Sequence, residues 1–149
     1  MNINYFMNEA IKEANYAFNN NEVPVGGVLV DIKTKEIIYK SHNKVNKEKN
    51  AMHHCEIDLI MHSCKALSRK YLHDTVMFVT LEPCLMCASA ISEVHIDKLY
   101  FGAYDNKNGG IEKFKFQSKR ENVFKTDIYG GIMEKDCKAL IEKFFKKLR

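Results

Sequence analysis

Two short stretches, His54-Cys55-Glu56 and Pro83-Cys84-Leu85-Met86-Cys87, constrain this chain more than anything else in it. His54 and Cys84 lie 30 positions apart, yet the two stretches make chemical sense together. A lone Cys-x-x-Cys says little. A His, a Glu two residues later and then Pro-Cys-x-x-Cys supply one nitrogen and two sulfur ligands, which leaves one position of a tetrahedral zinc ion open. A closed structural site usually recruits a fourth protein ligand.

The five cysteines, Cys55, Cys64, Cys84, Cys87 and Cys137, fit metal ligation by two and inert thiols for the rest. An odd count without an export signal argues against a disulfide framework. Met1-Asn2-Ile3-Asn4 lacks the basic and then apolar pattern of a signal peptide. No apolar run approaches the roughly 20 residues a bilayer span needs, so no membrane partner is expected and a cytoplasmic location is the default. A chain of 149 residues suits a single domain, 1–149, with one core.

Periodicity supplies the scaffold. Apolar residues at near-helical spacing predict a helix over Asn4–Asn19. Val23–Val30 reads as a β-branched strand, with glycines where backbone or ligand comes close. A polar turn over Asp31–Lys35 and a strand over Glu36–Lys40 complete a hairpin, followed by a loop over Ser41–Asn50. A helix is expected from His54 to about Leu67, and Thr75–Leu81 fits a strand buried on both faces. Pro83 suits a helix start, so Cys84–Ser92 is read as a short helix. Asp97–Ala103 reads as a strand, Asp105–Gln117 as a loop, and Glu121–Tyr129 as holding a short strand. A last amphipathic helix runs over Glu134–Leu148, its stripe being Cys137, Leu140, Ile141, Phe144, Phe145 and Leu148. This order predicts a layered α/β domain with helices on both faces of a mixed sheet.

In that scaffold His54 and Cys84 each open a helix, so two helix N-termini at one end of a sheet could converge. Cys84 and Cys87 are three apart, on adjacent sides of one turn. Glu56 diverges from His54 on the helix and cannot easily share its metal, but it can reach a water in the open position. Zinc lowers the pKa of such a water to around 7, and a carboxylate can accept and deliver its proton. That is hydrolytic chemistry. His53 lacks the two-residue offset to Glu56, and Glu82 is read as bonding backbone at the strand end.

His-x-Glu followed by Pro-Cys-x-x-Cys resembles the signature of the zinc-dependent nucleoside and nucleobase deaminases. The likeness extends, in the tRNA-specific adenosine branch, to Glu22-Val23-Pro24-Val25-Gly26, to Asn43, to Val79–Cys87, to Phe101–Lys107 and to Phe144-Phe145. It implies a three-layer α/β/α sandwich with a central mixed five-stranded sheet, one zinc ion per subunit, and a homodimer. It implies hydrolysis of adenosine to inosine at the wobble position of a tRNA anticodon, by zinc-activated hydroxide. By the same likeness His54, Cys84 and Cys87 hold the metal and Glu56 is the catalytic proton shuttle. Val25, Asn43, Cys55, Leu81 and Pro83 would line the base pocket. Asp105, Lys107, Phe145, Lys146, Lys147 and Arg149 would lie against the tRNA anticodon stem-loop. Three positions depart from the pattern: Cys55 for the usual Ala, Asn50–His53 for Asp-Pro-Thr-Ala, and Tyr104 for a common Arg.

Charge agrees with an RNA partner. Glu112–Arg149 carries 11 Lys and Arg against 6 Asp and Glu, so the basic excess lies in the last quarter of the chain. A lysine-rich solvated helix face would look the same by charge alone. Two other functions remain open at this point. One is a deaminase of free guanine, cytosine or cytidine, which would need no basic tail. The other is a non-catalytic zinc-stabilised RNA-binding module, against which Glu56 argues.

Overall fold

The computed structural model describes residues 1–112 and 123–149. Residues 113–122, which include part of the expected 105–117 loop and the first residues of the 121–129 segment, lie outside the described residues. Helix α1 (Ile3–Asn19) starts where the Asn2 side chain accepts a hydrogen bond from the Tyr5 N–H at 3.0 Å. It buries Phe6, Met7, Ala10, Ala14 and Ala17, a stripe at the spacing that keeps one face to the core. Strands β1 (Gly26–Asp31) and β2 (Ile37–His42) form an antiparallel hairpin with an irregularity between Leu29 and Val30.

Helix α2 (Cys55–Leu67) leads to β3 (Thr75–Leu81), α3 (Leu85–Glu93) and β4 (Lys98–Ala103). A short β5 (Asp127–Tyr129) and helix α4 (Glu134–Lys147) complete the order. The sheet runs β2-β1-β3-β4-β5, antiparallel through β1 and β3 and parallel from β3 to β5. Six of the seven β3 residues are buried, as a strand covered on both faces requires. Alternation divides the core: Leu29, Met77 and Val79 pack with Cys55 and Leu59 of α2 and Ile91 of α3. Val28, Val30, Val76 and Phe78 pack with Phe6, Met7 and Ala10 of α1 and Cys137 of α4. This is the mixed five-stranded, three-layer α/β/α arrangement.

The structure corrects several boundaries. β1 begins at Gly26 rather than Val23, because Pro24 has no N–H and the Val25 N–H turns back to the Val23 carbonyl at 2.8 Å. β2 runs on through Ser41 and His42, where the sequence suggests loop. His54 and Cys84 stand just outside their helices as N-caps. In α4, Cys137 and Phe144 are buried while Phe145 and Leu148 are exposed, so the core stripe is narrower than periodicity alone suggests.

The hairpin lies hard against α1 at Gly26, where an added Cβ would stand 2.2 Å from the Ala14 nitrogen and 2.3 Å from the Ala10 carbonyl oxygen. Both are helix backbone and cannot swing aside. Gly26→Ala is therefore expected to destabilise by about 3 kcal/mol, which thermal melts should read as a Tm loss of roughly 6–12 °C.

Candidate metal centre and active site

Because β1 runs antiparallel to β3, its N-terminal end meets the C-terminal ends of β2, β3 and β4 at one edge of the sheet. Val25, Asn43, Leu81 and Tyr104 leave the sheet there. Two helices begin at the same edge. His54 caps α2 and Cys84 caps α3, each with extended backbone and neither using its side chain as a cap. Both side chains are thus left to point elsewhere.

They point at each other. His54 Nδ1 is 3.6 Å from Cys84 Sγ and 3.6 Å from Cys87 Sγ. All three donor atoms lie within 4.8 Å of one another. A tetrahedral zinc ion with ordinary Zn–N and Zn–S bonds sets an N···S separation of about 3.6 Å. The donor set and its spacing fit the ion. Among the described residues, this is the one group of three or more His, Cys, Asp or Glu arranged to hold a metal.

Electrostatics within the group favour a thiolate. The Cys87 thiol and His54 hold the Cys84 thiol down at about 4, against the opposing effect of burial. Cys87 is pushed the other way, because it shares its proton with that thiolate and is buried. His54 is raised by its contact with Cys84. Glu56, buried in the first turn of α2, is not among the ligating atoms. Burial pushes its carboxyl up to about 7, although its own backbone N–H and the Cys87 thiol favour the charged form. A carboxyl poised there can both accept and release a proton at neutral pH.

A cavity of about 1080 Å³ opens over this group. It is lined by His54, Cys55, Glu56 and Cys84, by Val25, Asn43 and Leu81, and by Asp105, Lys107, Phe145, Lys146 and Arg149. Of the residues expected here, Pro83, Cys87 and Lys147 are not in that lining. Cys87 is buried beneath it, and the Pro83 carbonyl accepts from the Gly110 N–H at 2.7 Å. The Lys147 ammonium lies 5.3 Å from the centre of the Phe18 ring. Asn43 is buried, and among the described residues its side-chain amide makes no hydrogen bond. Cys55 turns its thiol away from the metal group and donates to the Ser41 carbonyl at 3.3 Å. Burial drives that thiol well above its ordinary pKa, so it stays a thiol in the core.

Three buried carboxylates hold the cavity's loops, and sequence reasoning identified one of them. Glu82 accepts from the backbone N–H of Asp105 at 3.0 Å, of Ile111 at 3.1 Å and of Glu112 at 2.9 Å, the backbone role read for it from sequence. Glu22 accepts from the N–H of Asn46 at 2.9 Å and of Lys47 at 2.8 Å. Asp58 meets Ser41, Lys44 and His53. The last two escaped notice because their partners lie 14 or more positions away or, for His53, follow no helix or strand period.

A model of the cytidine and deoxycytidylate deaminase zinc-binding region matches residues 1–103. A protein of Rickettsia felis named tRNA-specific adenosine deaminase is 41% identical over 144 residues, covering 96% of this chain and 100% of its own length. A Bacillus subtilis protein of the same name is 39% identical over 146 residues, covering 97% of this chain and 89% of its own. A chain solved in a study of A-to-I editing by tRNA:A34 deaminases at the wobble position superposes with a TM-score of 0.87 at 37% identity, covering 91% of this chain and 98% of that one.

Asp58 generates a pH prediction. Burial raises its pKa, but hydrogen bonds from Lys44, Ser41 and His53 outweigh that and bring it to about 2. An unfolded Asp titrates near 3.9, so ionised Asp58 contributes roughly 2 kcal/mol that is fully present above about pH 4 and lost as pH falls through about 2. Urea unfolding of wild type and Asp58→Asn should show a stability gap that is constant near neutrality and narrows below about pH 4. A gap that does not narrow would mean that Asp58 is not ionised in the fold.

Proposed function

The chain belongs to the cytidine and deoxycytidylate deaminase zinc-binding family and, within it, to the tRNA-specific adenosine deaminases, and we propose on that footing how its residues divide the work. It is a zinc enzyme that hydrolyses adenosine to inosine at the wobble position of a tRNA anticodon. One observation carries the substrate assignment. The cavity over the metal group runs without a break to Phe145, Lys146 and Arg149 at the C-terminal end of basic helix α4. A pocket for a free base would need only the inner part; small-molecule sites span about 300–1,000 Å³ in total.

His54, Cys84 and Cys87 would hold the zinc through one nitrogen and two sulfur donors. The ion, when bound, supplies Lewis acidity that makes water nucleophilic near neutral pH. Glu56 takes a proton from the attacking water, delivers it to N1 of the purine and then assists the departing amine. Val25, Leu81 and the backbone at Cys55 and Pro83 shape the base pocket, and Asn43 offers its amide to the purine edge. Asp105, Lys107, Phe145, Lys146 and Arg149 face the anticodon loop, where phosphate contacts fix register while the pocket selects the base. The reading places a single deaminase domain in the cytoplasm with its tRNA. Two copies pair through the apolar face of α3, where Leu85 is exposed.

Glu56→Ala is expected to lower inosine formation on an anticodon stem-loop with adenosine at the wobble position by about 10²–10⁴-fold. Metal analysis should still find one zinc per chain, and loss of zinc would mean that Glu56 is a ligand. Turnover of free guanine or cytidine with none on the stem-loop would overturn the substrate assignment.

Lys146→Ala and Arg149→Ala should each weaken stem-loop binding and reduce the slope of log K against log salt by about 0.7–0.9. Lys147→Ala, whose ammonium is engaged by Phe18, should leave that slope unchanged. Fluorescence anisotropy over a salt series checks all three, and wild-type slopes in Lys146→Ala and Arg149→Ala would remove this end of the chain from the RNA contact.

A further inference from the structure

The segment from Ser41 to His53 leaves β2, carries Asn43, Asn46 and Ala51 into the cavity lining, and returns at His54. Most of its backbone bonds run within the segment itself, as from the Glu48 N–H to the Lys44 carbonyl and from the Asn50 N–H to the Val45 carbonyl. Its neck is closed by one backbone bond, from the Lys44 N–H to the His53 carbonyl at 3.1 Å. Its far side is held by the Glu22 carboxylate through the Asn46 and Lys47 amides. Asn43 is also tied to the segment before β1 by its N–H, which donates to the Val25 carbonyl at 2.9 Å, and the Asn46 side-chain amide donates to the Asn21 carbonyl at 3.0 Å. A further tie, made by side chains at both ends, is Asp58, in the first turn of α2 and 2% exposed.

Asp58 gathers both ends of the excursion. The Ser41 hydroxyl, at the end of β2, donates to Oδ2, and so does the Lys44 ammonium at 2.8 Å. His53 Nε2 lies 2.7 Å from Oδ1. His62, one turn further along α2, reaches Oδ1 at 3.4 Å. Asn43 stands between Ser41 and Lys44, so the residues on either side of it are tied to one carboxylate. We propose that Asp58 is a positioning residue for the deamination: it clamps the 41–53 excursion to α2 and so holds Asn43 in place on the wall of the base pocket.

The inference rests on the reading of Asn43 as a base contact. An unclamped excursion should leave the RNA bound, because α4 and the 105–108 loop still hold it, and misplace the base relative to the reacting centre. Displacements on the scale of an ångström at a reacting centre reduce rates by about 10²-fold. The expected signature is therefore a change in kcat rather than in KM.

The test compares wild type, Asp58→Asn, the double variant Lys44→Met/Asp58→Leu, and Glu9→Gln as a control. Glu9 is a buried carboxylate paired with Lys12 and Lys40 outside the cavity, so its loss should lower Tm and leave kcat unchanged. On the stem-loop, Asp58→Asn should lower kcat about 10–100-fold with KM within about threefold of wild type and one zinc per chain. The double variant removes both charges and is the way to restore Tm if the single variant unfolds; its kcat should stay low. Hydrogen exchange should rise at amides 43–53 in both Asp58 variants and not in Glu9→Gln. Wild-type kcat in folded Asp58→Asn, or recovery of kcat along with Tm in the double variant, would overturn the proposal. Should wild type itself leave the stem-loop unchanged, the substrate reading fails, and exchange at 43–53 decides the clamp on its own.

Discussion

Everything at the site depends on two helices beginning at the same edge of one sheet. α2 and α3 begin there with His54 and Cys84 as their first non-helical residues. A cap residue has extended backbone, so its side chain is aimed by the strand or loop before it rather than by the helix after it. That lets residues 30 positions apart place donor atoms 3.6 Å from one another. The helix N-termini add a second effect, since their free N–H groups favour the anionic thiolate that zinc requires. Cys87, one turn into α3, completes the group by ordinary helical spacing.

Sheet topology brings the rest to this edge. A hairpin strand and two parallel strands end together because β1 runs against β3 while β4 runs with it. The loops that emerge are long and polar, and three buried carboxylates hold them by accepting N–H, hydroxyl and ammonium donors. A carboxylate buried without partners would be costly, and each of these has two or more. Glu56 is the exception among the buried acids at this edge. Among the described residues no loop donor is bonded to it, and burial pushes its carboxyl up to about 7. The same chemistry, placed in different surroundings, produces anchors in three positions and, in the fourth, a carboxyl whose pKa burial raises.

Much of this was legible from the residues. Among the described residues, the five strands and four helices match runs read from residue pattern, since a face that must be buried repeats every two or every three to four residues. The His-x-Glu and Pro-Cys-x-x-Cys stretches already named the donor set, because few arrangements of one His and two Cys leave a metal position open. Departures fell where local pattern competes with tertiary contact. Val23 to Val25 look like strand by composition, but Pro24 removes an N–H and the segment turns into the cavity. Phe145 repeats with the α4 stripe and yet faces the cavity, because α4 meets the sheet through Cys137 and packs Phe144 against Phe18 of α1. Cys55 stands where the resembling family usually has Ala, and its burial and its contact with the Ser41 carbonyl show it to be core.

The sequence by itself determined the layer order, the ligand types and the carboxylate beside them, because those follow from residue type and from spacing within short local stretches. The tertiary structure alone decided which side of each helix start the ligands occupy, which charges in the basic tail reach the cavity, and that Glu22 and Asp58 anchor the loop between β2 and α2. Those facts are set by contacts between residues far apart in the chain or outside any helix or strand repeat. Such contacts leave no period in the residues, since a buried carboxylate and its donors need only meet in space.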